Sequence, residues 1–76
     1  MLYVRSRQIE SRLNTIVALV RAGGQSTASL ASVLHVSRPT VSRCIAALRD
    51  RGYSIRAVKD AGRWSYEIAA EPVAQR

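Results

Sequence analysis

A chain of 76 residues has room for one compact domain and little else, since cores become marginal below about 60 residues, and no second domain is expected. Twelve Lys and Arg against five Asp and Glu give a net charge of +7, and eleven of the twelve cations are Arg. One Cys and one His exclude an internal disulfide and a four-ligand zinc site, and no apolar run approaches the roughly 20 residues needed to cross a bilayer.

A cationic excess on so small a body favours a polyanionic partner, because each neutralised phosphate releases condensed counterions. Nucleic acid is the first candidate, an anionic membrane surface the second, and a basic but inert surface the bland alternative. Arg rather than Lys favours phosphate and guanine, which the guanidinium fork grips in a bidentate way. No signal-peptide core follows Met1–Arg5, so a cytoplasmic, nucleoid-associated protein without membrane contact is expected. Only Tyr3, Tyr53, Trp64 and Tyr66 are aromatic, which leaves the core to aliphatic side chains.

The first expected element is a helix over residues 7–22, capped by Ser6, with Ile9, Leu13, Ile16, Val17 and Val20 on one face at three- and four-residue steps. Gly23-Gly24 ends it by offering the left-handed conformation. The apolar start Leu2-Tyr3-Val4 can either cover the core or join two copies. A short second helix over 28–34 is expected, with Thr27 as its cap and Leu30, Ala31 and Leu34 inward. His35-Val36 forms a turn, and Ser37 caps a third helix that runs to about residue 51, its first turn tolerating Pro39.

On a 100° wheel the third helix splits into two faces. Val41, Cys44, Ile45 and Leu48 fall on one, which makes Cys44 a small core residue rather than a reactive thiol. Pro39, Ser42, Arg43 and Ala46 fall on the other, where small side chains around one Arg suit insertion into a groove. After Gly52 the period changes to alternation, giving two strands in which Tyr53, Ile55 and Ala57 share a face with Trp64, Tyr66 and Ile68. Pairing residue 57 with 64 and 55 with 66 leaves Lys59-Asp60-Ala61-Gly62 as a four-residue loop. The body of the domain is thus expected over residues 1–70, and residues 71–76 are expected to fray as a flexible tail.

The stretch from Leu30 to Arg43, set in the order helix, helix, tight turn, helix, hairpin, resembles the winged helix-turn-helix domains at the N-termini of biotin repressors and DeoR-type regulators. The resemblance covers residues 7–68 and is carried by Leu30-Ala31, Val36-Ser37, Thr40-Val41, Arg43, Ile45-Ala46-Ala47-Leu48 and Gly52-Tyr53. Two positions depart from that pattern: His35 stands where the family usually has Gly, and Cys44 where it often has an acidic residue. The ligand-binding or catalytic domain that usually follows is not expected here.

The resemblance implies an α+β, mostly helical fold, with the third helix in the major groove of double-stranded DNA and the hairpin as a wing on the backbone or in the minor groove. Arg43 is then the candidate base reader, with a phosphate contact as its alternative. Ser37, Arg38 and Thr40 lie at a helix N-terminus, which attracts phosphate, although capping alone explains Ser37. Pro39 and Ser42 are placed against base edges or methyl groups. Lys59, Arg63 and Arg56 are the wing cations, for which a solvated edge is the alternative.

No Gly-rich phosphate loop, catalytic carboxylate pair or Ser-His-Asp set is present, so neither an enzyme nor any cofactor, metal or small-molecule ligand is expected. A small bacterial or phage transcriptional regulator, most simply a repressor, fits best. The alternatives are a winged helix that binds protein, or an excision-type DNA architectural factor. A lone winged helix reads few base pairs, so a homodimer or cooperative assembly on DNA is expected.

Overall fold

The computed structural model describes residues 2–72, and side chains within residues 7–72. Three helices are followed by an antiparallel hairpin: α1 (Leu2–Ala22), α2 (Thr27–Leu34), α3 (Arg38–Asp50), β1 (Ser54–Asp60) and β2 (Arg63–Ala70). This is the mostly helical winged-helix architecture expected from the sequence.

Helix α1 begins five residues earlier than the periodicity predicted and passes through Ser6, which is therefore not its cap. Residues 2–6 contain no Gly or Pro to stop a helix, so propagation costs little once the turn is nucleated. Leu13, Ile16, Val17 and Val20 are buried as expected, but Ile9 is 48% exposed. It continues the same apolar stripe beyond the end of the core. The side-chain roles considered for Leu2, Tyr3 and Val4 lie outside the described residues.

Helix α2 is capped by Ser26 rather than Thr27. The Ser26 hydroxyl accepts from the Ser29 N–H at 3.1 Å, and the Ser29 hydroxyl accepts from the Ser26 N–H at 2.8 Å. This reciprocal box satisfies two backbone donors that the first turn leaves orphaned. Thr27 is drawn elsewhere: its hydroxyl lies 2.8 Å from the Tyr66 hydroxyl on β2.

His35 ends α2 in the left-handed region, at φ 58° and ψ 44°, and the Val36 N–H reaches back to the Ala31 carbonyl at 3.0 Å. A residue with a Cβ is strained there, so His35→Gly is expected to stabilise the fold by about 1 kcal/mol. In a domain of this size the melting temperature should rise by about 4–8 °C. An unchanged or lowered melting temperature would contradict this turn geometry.

Helix α3 begins as predicted. The Ser37 hydroxyl accepts from the Thr40 N–H at 3.3 Å, Pro39 lies in the first turn, and Val41, Cys44, Ile45 and Leu48 are buried. Together with the α1 residues, Leu30, Ala31 and Ile55, they form one core, against which Leu34, Val36, Tyr53, Tyr66 and Ile68 are half-buried. Gly52 ends α3 at φ 105°, and a Cβ there would come within 3.2 Å of the Pro72 Cβ.

The hairpin pairs Ile55 with Ile68, Ala57 with Tyr66, Lys59 with Trp64 and Asp60 with Arg63. The register expected from burial, 57 with 64, is thus corrected by two residues, and the loop shrinks from four residues to Ala61-Gly62. Both loop residues have positive φ, 53° and 81°, the pattern of a type I′ turn whose twist matches that of the strands. A slip of two keeps every side chain on its own face, so the apolar alternation was indifferent to it and the turn decided. The inward set is only partly covered: Ile55 is buried, but Ala57 is exposed and Trp64 is 60% exposed.

Ion pairs among the described residues brace the periphery. Arg51 at the end of α3 donates to Glu10 on α1, Arg21 at the end of α1 donates to Glu71 beyond β2, and Arg56 donates to Glu67 across the hairpin. Hydrogen bonds from Arg51 and Arg21 hold the Glu10 and Glu71 carboxyls below their ordinary pKa. What these pairs add to stability is present at neutral pH and is lost as pH falls through the lowered pKa. Of the segment expected to fray, Glu71 is held by Arg21 and Pro72 lies beside Gly52. Residues 73–76 lie outside the described residues.

Candidate nucleic-acid interface

The helix-turn-helix is built by burying one side of α3 and leaving the other bare. Val41, Cys44, Ile45 and Leu48 turn α3 into the core, which forces Pro39, Ser42, Arg43 and Ala46, at the intervening three- and four-residue steps, outward. All four are exposed, as is Arg38 at the start of the helix. Apart from Arg43, the four carry no bulk, so the backbone of α3 can approach a surface closely with one long cation reaching ahead of it.

The N-terminus of α3 is less free than the sequence suggested. Ser37 and Thr40 are joined through their hydroxyls at 3.0 Å, besides the capping bond, and Thr40 is half-buried. Ser37 and Thr40 thus fix the first turn of α3, and Arg38 presents its charge beside the positive end of the helix dipole.

The wing root is pinned on both strands. The Arg49 guanidinium donates to the Ile55 carbonyl at 2.9 Å, which ties β1 to α3. The Tyr66 N–H donates to the Gln25 carbonyl at 2.7 Å, and its hydroxyl meets Thr27, which ties β2 to the segment entering α2. The hairpin therefore leaves the body from fixed points, and its far end carries Lys59, Asp60, Arg63 and Trp64. Alternation places Lys59 and Trp64 on one face and Arg56 and Arg63 on the other.

The wing cations are not equivalent. Arg56 is paired with Glu67 at 3.1 Å, which neutralises it in place. Lys59 stands over the Trp64 ring at 5.8 Å from its centroid. Among the described residues, the ion pairs take up Arg21, Arg51 and Arg56, while Arg38 and Arg43 on α3 and Lys59 and Arg63 at the wing tip have no carboxylate partner; nor do Arg12 on α1 and Arg49, whose guanidinium is spent on the Ile55 carbonyl. Glu10, Glu71 and Glu67 thus offset cations away from the bare face of α3 and from the wing tip, so the cations on those two surfaces are not neutralised by a salt bridge.

The alternation of the strand marks Trp64 only as an inward residue and does not place it at the site. Its pairing with a Lys at the loop was the available signal, but it becomes visible only with the two-residue turn. The two faces of α3, by contrast, were legible from the period alone.

No curated protein and no solved structure matches the chain. A family model described as an HTH domain matches residues 12–63, from the middle of α1 through both helices of the motif to the wing tip. That span is most of the chain and contains the second half of α1, all of α2 and α3, and the first strand of the wing, so the chain belongs to the HTH domain family of helix-turn-helix DNA-binding domains.

Proposed function

We propose that the chain is a sequence-specific double-stranded DNA-binding protein, acting as a small bacterial or phage transcriptional repressor, with α3 in the major groove and the wing on the backbone or in the minor groove. The observation that carries this reading is the bare face of α3, where Arg43 stands exposed among small residues with no carboxylate to hold it back. A helix that only had to be soluble would more often carry mixed Glu and Lys there. Binding as a homodimer or cooperatively on repeated sites supplies the length of DNA that one domain cannot read. No catalytic step is part of this role.

A salt titration with duplex DNA tests it. With about 4 to 6 phosphate contacts, most of which the cations without a carboxylate partner on α3 and the wing can supply, the log–log slope of affinity against salt should lie near −4 to −5. Affinity that stays flat between low and physiological salt, or no binding to any duplex, would transfer the role to protein recognition.

A further inference from the structure

The wing tip carries a feature that electrostatic tracking of phosphates does not need. Trp64 is the only tryptophan of the chain, and it is 60% exposed at the end of the hairpin furthest from the core. Because the Tyr66 N–H is spent on Gln25, the pair Ala57 and Tyr66 is not hydrogen-bonded. The ladder alternation makes Lys59 and Trp64, two residues on, a second such pair with closely approaching side chains. The Lys59 ammonium lies over the indole at 5.8 Å from the centroid, so ring and charge are presented together. Asp60, the acid nearest the tip, pairs with Arg63 and falls on the opposite face of the hairpin. An exposed indole beside a cation, with no carboxylate on its own face near the tip, complements a surface in which apolar rings alternate with anions.

Resting on the DNA-binding reading above and deepening it, we propose that the Lys59–Trp64 pair is a composite contact for the sugar–phosphate edge of the minor groove. The indole packs on deoxyribose, its N–H donates to a phosphate oxygen, and Lys59 neutralises the neighbouring phosphate. The wing then grips duplex DNA partly through burial of an aromatic ring, a contribution that salt does not screen, and it is indifferent to base sequence because every nucleotide presents the same sugar.

Trp64 alone reports in the tryptophan fluorescence of the intact chain. On titration with a mixed-sequence duplex at low salt, its emission should change and its quenching by acrylamide should fall in step with the mobility shift of the DNA. Trp64→Ala should weaken binding about tenfold, on the scale of one lost aromatic contact to a nucleotide, while leaving the salt slope unchanged. Trp64→Phe should recover most of that loss, and melting curves confirm that the variants are folded. A duplex that shifts fully while emission and acrylamide access stay constant overturns the proposal and leaves DNA binding intact. So does a Trp64→Ala variant that is folded and binds like the parent. No shifted duplex at any salt overturns the DNA-binding reading, and the contact with it.

Discussion

Arg43→Ala is expected to weaken binding to the cognate duplex by about 1–3 kcal/mol while hardly changing affinity for random DNA, the signature of a lost base contact. Arg43 is exposed on the face of α3 opposite Val41, Cys44, Ile45 and Leu48, so its removal opens no cavity and the melting temperature should stay where it is. Lys59→Ala and Arg63→Ala should behave differently. Each removes a charge from a hairpin expected to follow the backbone, so cognate and random DNA should weaken alike and the salt slope should shrink by about one unit. Arg56→Ala should do less than either, because Arg56 is already paired with Glu67. Measuring each variant on both duplexes at two salt concentrations separates the roles. If the wing variants lose discrimination and Arg43→Ala keeps it, the wing is the reader and α3 does not lie in the major groove.

The second large effect lies in the core. Leu30 is fully buried in α2, and that short helix places the His35 turn from which α3 starts. Leu30→Ala is expected to cost about 2–5 kcal/mol, the lost transfer energy plus that of the cavity left behind. A domain of this size has little stability to spare, so the melting temperature should fall by about 10 °C or more. Val33→Ala, one turn away on the exposed side of the same helix at 52% accessibility, should change stability by less than about 0.5 kcal/mol. DNA affinity should fall with Leu30→Ala only in proportion to the unfolded fraction, since no contact residue is touched. Equal effects at the two positions would mean that α2 does not pack as described.

Periodicity alone determined which side of each helix is buried, because a 3.6-residue repeat admits one apolar stripe and the residues between its members must face away. The bare face of α3, the Ser37 cap and the end of α3 at Gly52 were legible for the same reason: each depends on neighbours within one turn. The tertiary structure decided whatever depended on what lies opposite. Ile9 carries the same stripe as Leu13 but is exposed, because the core ends before it. Ser26 rather than Thr27 caps α2 because Tyr66, 39 residues away, takes the threonine hydroxyl. The hairpin register is degenerate under a slip of two, so alternation could not choose it, and only the closed turn set Lys59 against Trp64. Which arginines remain free is likewise a matter of distant partners: Glu71, Glu10 and Glu67 are 50, 41 and 11 residues from the cations they hold, and a sequence carries the charges without the distances between them.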